Sequence, residues 1–294
     1  MTDIYNSEEF ATLIELAYRE DAPTGDLSTR YILSESDRAI ATLIAKDDGI
    51  VSGLEVAYMV LCRCTPEEEI TFTSEYEDGD EVCKGDILAT IEAPYADLLR
   101  AERIMLNFMQ RMSGIATYTH QCVQCVAGTK TQILDTRKTA PGHRLTDKMA
   151  VRDGGGTNHR ASLSDMVMLK DNHIAMAGGI LPAVEEVRPH LPISIQIEVE
   201  TTTLEEVQEA IDAGADIIML DNMDIETMRR AVELIDGQAK VEASGNMTAE
   251  RLAAVAGGGG GVHKHESAVD YISIGALTHS VRAFDISMKI KPIQ

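Results

Sequence analysis

The chain has 294 residues, 44% apolar and 25% charged, with 48 acidic against 26 basic side chains and a formal net charge of −22. That length allows one large domain or two smaller ones with a sizeable core. The acidity excludes non-specific nucleic-acid binding, which needs basic surface to displace counterions, and no apolar run approaches the roughly 18 residues of a membrane span.

The first nine residues lack the basic and apolar regions of a signal peptide, so a cytoplasmic protein is expected. Apolar spacing over 7–19 (Phe10, Leu13, Ile14, Leu16, Ala17) predicts a helix, stopped by a turn at Pro23 and Gly25. Strands are expected at 40–45, 70–74 and 87–92. Residues 77–91, E-D-G-D-E-V-C-K-G-D-I-L-A-T-I, have the turn-rich character of carrier-domain hairpins. Lys84 lacks the Met-Lys or Asp-Lys setting of a modified lysine, so a plain β-sandwich hairpin is expected there. Residues 97–112 predict an amphipathic helix. Leu98, Ala101, Met105, Phe108 and Met112 line one face, and Arg100, Arg103, Asn107, Gln110 and Arg111 share the other. That polar stripe suits solvent, a ligand or a partner subunit. Cys122 and Cys125 form a C-x-x-C within a helical pattern, without a second pair spaced for zinc, and all five cysteines are expected reduced.

From residue 132 the pattern becomes a βα alternation. Strands are expected at 133–136, 166–169, 193–200, 216–221, 240–244 and 270–275, with helices at 204–213, 225–235 and 249–256. Such repeats, without a dinucleotide-binding glycine fingerprint, favour a barrel over an open sheet. The last unit carries a glycine-rich insert at 257–267 containing His263 and His265, expected as a surface loop.

Between Thr131 and Lys170 the bases Arg137, Lys138, Arg144, Lys148, Arg152, Arg160 and Lys170 outnumber the acids Asp135, Asp147, Asp153 and Asp165. A cationic basin inside an acidic protein would concentrate small anions. The expected strands end in polar groups, and in a βα barrel those ends converge on one mouth. Arg137, Lys138, His159, Arg160 and Lys170 can bind carboxylates or phosphates. Glu200 and Asp221 suit a hard cation such as Mg²⁺. The glycine turns at Ser244-Gly245-Asn246 and Gly275-Ala276 suit a phosphate cradle. Together these groups predict an enzyme acting on a phosphorylated polyanion and a second anionic substrate.

The motifs E-R-I-M-L-N-F-M-Q-R-M-S-G-I-A-T (102–117), D-T-R-K-T-A-P-G (135–142), G-G-G-T-N-H-R (154–160) and K-D-N-H (170–173) then become recognisable as a set. With E-V-E, L-D-N, E-A-S-G-N and S-I-G-A-L-T-H-S they resemble the quinolinate phosphoribosyltransferase family, the carboxylating nicotinate-nucleotide pyrophosphorylases. The likeness begins at E-D-x-x-x-G-D (20–26) and runs in family order almost to the C-terminus; the 257–267 insert departs from it. It implies α/β plus α+β architecture: an N-terminal open β-sandwich domain over 1–115, with 280–294 packing on it. An incomplete, seven-stranded α/β barrel would span 116–279. It implies a homodimer with active sites shared between subunits, Mg²⁺ as cofactor, and quinolinate and phosphoribosyl pyrophosphate as substrates. Arg137, His159, Arg160 and Lys170 would bind quinolinate, with Arg103 reaching in from the other subunit. Lys138, Glu200 and Asp221 would handle the Mg²⁺-bound pyrophosphate and ribose, and Ser244, Gly245 and Gly275 the 5′-phosphate. A paralogous pyrophosphorylase acting on another base is the alternative enzyme, and a carrier built on the hairpin the non-enzymatic one.

Overall fold

The Ser7 hydroxyl accepts the Phe10 N–H and opens the first helix of a computed structural model that describes residues 7–257 and 269–293. In chain order the elements begin with α1 (Glu8–Asp21), β1 (Arg38–Ala45), β2 (Gly49–Ile50), α2 (Leu54–Cys62), β3 (Thr71–Thr73), β4 (Glu81–Val82), β5 (Ile87–Pro94) and α3 (Tyr95–Cys125). They continue through β6 (Gln132–Leu134), α4 (Arg144–Asp153), β7 (Val167–Leu169), α5 (Asp171–Ala177), α6 (Ile180–Val187), β8 (Ile197–Thr201), α7 (Leu204–Asp212) and β9 (Ile217–Asp221). The last are α8 (Ile225–Ile235), β10 (Lys240–Ser244), α9 (Ala249–Val255), β11 (Tyr271–Ser273), α10 (Ala276–His279) and β12 (Ile286–Pro292). Contacts group them into two units, one of Met1–His120, Thr139–Gly155 and Thr278–Gln294, the other of Gln121–Lys138 and Gly156–Leu277. Apart from Gly257, the insert with His263 and His265 lies outside the described residues.

In the first unit four strands form an antiparallel sheet in the order β12-β1-β5-β3, while β2 pairs separately with β4. Along β1 the side chains alternate, as a half-buried strand requires: Ala39, Ala41, Leu43 and Ala45 are fully buried, and Ile40 between them is exposed. The long helix α3 runs 13 residues past its expected end at Met112. A Cβ on Gly114 would stand 2.2 Å from the Arg282 carbonyl oxygen. The glycine thus admits a close backbone approach within an unbroken helix.

The polar stripe of α3 is divided in use. Arg100 donates to Asp97 at 2.7 Å, and Gln110 to the Ile286 carbonyl at 3.0 Å. Arg111 forks onto Asp147 of α4 with both bonds at 2.7 Å. Asn107 and Arg103 are exposed, and the Arg103 side chain has no ion pair among the described residues. The helix α4, with Asp147 and Lys148 buried, belongs to this first unit. Of the expected basin's bases, Arg144, Lys148 and Arg152 fall in the first unit, and Arg137, Lys138, Arg160 and Lys170 in the second.

The second unit is α/β. Its described strands form a six-stranded parallel sheet in the order β6-β11-β10-β9-β8-β7. A single parallel bridge, Leu134↔Thr157, adds to the far side of β6. The strand expected from residue 193 begins four residues later, and Ile193 is fully exposed. The helices start on clear signals. Thr203 and Glu206 form a reciprocal capping box on α7, and Asp224 accepts the Thr227 N–H at the start of α8. Consecutive helices α5 to α9 pack on one another, and α7 packs on β8. No helix among the described residues is long and apolar enough to cross a membrane.

Candidate active site

Register decides which side chains share a face. Glu200 pairs with Met219 and Met219 with Glu242, while Asp221 pairs with Ser244. In a parallel sheet, paired residues point the same way and neighbours along a strand point oppositely. One face of β8–β10 therefore carries Glu198, Glu200, Asp221, Glu242 and Ser244. The other carries Ile197, Val199, Ile218, Leu220, Val241 and Ala243, all buried. Five polar residues on one face of three central strands have no packing rationale; they mark the functional face of the sheet.

That face has two levels. The upper, at the C-terminal strand ends, holds Glu200, Asp221 and Ser244. Lys170, the residue that opens α5, reaches Glu200 Oε2 at 2.5 Å. Asp221 Oδ2 accepts from Asn222 Nδ2 at 2.9 Å. Beyond Ser244, Gly245 has φ +100° and Asn246 φ 46°, a turn that only glycine and a few polar residues adopt. Gly275 follows β11, at the C-terminal end of the strand paired with β10.

The lower level is buried. Glu198 and Glu242, 0% and 1% exposed, flank His159, whose side chain is 7% exposed. His159 Nε2 stands 3.1 Å from Glu198 and 3.2 Å from Glu242. Burial disfavours the imidazolium, but the two carboxylates outweigh it and push His159 up to about 10. Burial raises Glu198 to about 7, with Glu242 adding to it and His159 opposing. In the neutral ring His159 Nδ1 accepts the Arg160 N–H at 2.7 Å, and the two carboxylates favour keeping the remaining ring proton on Nε2. These three residues bring ligand-type atoms within 4.8 Å of one another, yet a protonated nitrogen is not a metal ligand. The cluster is built to hold a proton rather than a metal.

The remaining cations are set from below. Asp135, fully buried just beyond β6, accepts from Asn158 Nδ2 and the His159 N–H, both at 2.8 Å. This pins the segment that presents Arg160. Arg160 donates to the Met166 carbonyl at 2.9 Å; burial and then the charge of Arg137 lower its pKa, which brings those two guanidinium groups into one field. Arg137 and Lys138 are exposed beyond β6. Of the residues expected at the site, Arg137, Lys138, His159, Arg160, Lys170, Glu200, Asp221, Ser244, Gly245 and Gly275 fall in this unit, and Arg103 in the other. Glu198, Glu242 and Asp135 were not among the residues expected at the site. The signal for Glu242 was available: a glutamate between Val241 and Ala243 in an otherwise apolar strand.

The family models described as the N-terminal and C-terminal domains of quinolinate phosphoribosyl transferase match residues 26–113 and 115–289. The chain belongs to this family. It is 42% identical over 288 residues to a probable carboxylating nicotinate-nucleotide pyrophosphorylase of Bacillus subtilis, covering 97% of this chain and 94% of that one. It is 44% identical over 302 residues to the chloroplastic carboxylating nicotinate-nucleotide pyrophosphorylase of Arabidopsis thaliana, covering 96% and 83%. The crystal structure of NadC from Streptococcus pyogenes superposes with a TM-score of 0.89 at 39% identity, covering 97% of this chain and 98% of that one. Family membership extends over both units, so the face of β8–β10 described above lies within the matched C-terminal domain.

Proposed function

We propose that the protein is a quinolinate phosphoribosyltransferase. It transfers phosphoribosyl from phosphoribosyl pyrophosphate to quinolinate and releases CO₂, giving nicotinate mononucleotide and pyrophosphate for NAD biosynthesis in the cytoplasm. The observation that carries the reading is the two-level polar face: anion-binding cations and oxygen donors at the strand ends of a chain that matches this family over residues 26–113 and 115–289.

Arg137, Arg160 and Lys170 pair with the two quinolinate carboxylates; binding draws Lys170 away from Glu200. His159 acts on the same substrate through Arg160, whose backbone N–H it accepts. Ser244, Gly245 and Gly275 seat the 5′-phosphate. Glu200 and Asp221 present hard carboxylate oxygens on one face at adjacent strand ends, a donor set that fits Mg²⁺. When bound there, Mg²⁺ supplies neutralising charge for the pyrophosphate leaving group. Lys138 adds its ammonium to the same end, while ribose gains oxocarbenium character. Once the ring nitrogen has displaced pyrophosphate from C1 of the ribose, the pyridinium's own positive charge stabilises the carbanion left by CO₂, which takes a proton from solvent to give nicotinate mononucleotide. The protein's share of the reaction is positioning and electrostatics.

The parallel sheet, with the Leu134↔Thr157 bridge as the start of a seventh position, supports an incomplete seven-stranded barrel. Arg103, exposed and without an ion pair among the described residues, supports a homodimer in which it completes the neighbour's site. Incubating the protein with quinolinate, phosphoribosyl pyrophosphate and Mg²⁺ tests the reading. CO₂ and nicotinate mononucleotide should appear in equal amounts; mononucleotide formation from another base, with none from quinolinate, overturns it.

A further inference from the structure

Asn222 sits in the left-handed region, at φ 54°. Glycine occupies that region without strain, and asparagine is among the few side chains that tolerate it. Strained backbone of this kind persists where its surroundings hold it, and often at functional sites. Three contacts hold Asn222. Its backbone N–H donates to the Ser244 carbonyl at 3.1 Å, one step beyond the last β9–β10 pair. Its Nδ2 donates to Asp221 Oδ2 at 2.9 Å. Its Oδ1 lies over Gly245, where an added Cβ would stand 2.1 Å away. The space that glycine leaves open at 245 is therefore filled by the asparagine amide.

We infer that Asn222 is a positioning residue whose amide, seated on Gly245 and bonded to Asp221, holds that carboxylate ready for the Mg²⁺–pyrophosphate end of the substrate. The inference rests on the role proposed for Asp221. A half-exposed aspartate otherwise samples several rotamers and loses that freedom on binding. One oxygen held by an N–H limits the rotamers open to the carboxylate before substrate arrives. Hydrogen-bonded partners of ligating side chains typically contribute about ten- to hundredfold in metal affinity. Because the same amide covers Gly245, the orientation of Asp221 is tied to the turn proposed to seat the 5′-phosphate.

The test uses N222G and N222D, with D221N as reference. Glycine relieves the φ 54° strain, so N222G should unfold at the parent's temperature or above. Calorimetry should show Mg²⁺–pyrophosphate binding about ten- to hundredfold weaker in N222G, with metal-free quinolinate affinity within about twofold of the parent. N222D keeps the shape but replaces the donor with a second carboxylate, and should lose as much or more. In turnover, kcat/KM for phosphoribosyl pyrophosphate should fall in parallel. The inference is overturned if N222G binds Mg²⁺–pyrophosphate within about twofold of the parent, or loses affinity that D221N retains. A lower unfolding temperature of N222G also overturns it, because the asparagine would then be needed for the turn itself. A parent protein that binds Mg²⁺–pyrophosphate yet makes no nicotinate mononucleotide overturns the functional reading alone, and the binding data still decide the role of Asn222. A parent that binds none overturns both.

Discussion

Replacing Arg111 with methionine removes one half of a buried ion pair and leaves the other half stranded. The Asp147 carboxylate is fully buried, and Arg111 is 23% exposed. The guanidinium donates to both carboxylate oxygens at 2.7 Å and to the Thr278 carbonyl at 3.1 Å. An uncompensated buried charge costs about 3–5 kcal/mol, whereas replacing the whole pair by apolar groups is often close to neutral. In a protein of this size each kcal/mol moves the unfolding midpoint by about 1.5–2 °C, so R111M should unfold roughly 5–10 °C early. The double variant R111M/D147L should recover to within about 1 kcal/mol of the parent, because it removes both charges together. Thermal unfolding followed by circular dichroism at neutral pH measures both. A shift under about 2 °C for R111M, or a double variant no more stable than R111M, would refute the reasoning. Either result would mean that water or another cation reaches Asp147.

Mixing inactive R103A with inactive K138A should restore activity. Random subunit exchange makes half the dimers mixed, each with one intact site of two, so about a quarter of parent activity is expected; no recovery under demonstrated exchange rules out the shared site. Nicotinate, lacking one carboxylate, forfeits a charge-assisted contact of about 1.5–3 kcal/mol. Its kcat/KM should fall at least about tenfold below that of quinolinate, and equal rates would refute the cation assignments. Asp78, whose carboxylate accepts the Leu54 N–H at 2.9 Å, is raised by burial to about 6. A raised acid contributes stability below its unfolded pKa and loses it as pH climbs through the folded value. Relative to the uncharged D78N, the parent should therefore lose up to about 3 kcal/mol between pH 4 and pH 7; a pH-independent difference contradicts this.

Local periodicity in the sequence was enough to place the core of the second unit. The helix expected at 225–235 and the strand at 240–244 have those bounds in the structure. An amphipathic helix and a short apolar strand declare themselves over one or two turns of chain. The polar residues that end the strands, Glu200, Asp221 and Ser244, were legible for the same reason: each interrupts an apolar run at a place where packing asks for none. Family motifs in order along the chain supplied the chemistry that such residues perform.

Partnership was not legible, because it is made between residues far apart in the chain. Counting charges along 131–170 made Asp147 part of a cationic basin, yet its charge is answered by Arg111, 36 residues away on α3. The reason α3 carries a glycine at 114 was hidden too, because the Arg282 carbonyl that approaches it lies far along the chain. The buried glutamates on either side of His159 could not be read from the sequence, because β8 and β10 bring them there from far along the chain. The same holds for Asn222, which looked like a turn residue until the fold laid its amide between Asp221 and Gly245. Sequence determined which residues this protein has for binding anions and where the strands that carry them run. Only the tertiary structure decided which charges neutralise one another, because burial and Coulomb energy depend on distance in space and not on separation along the chain.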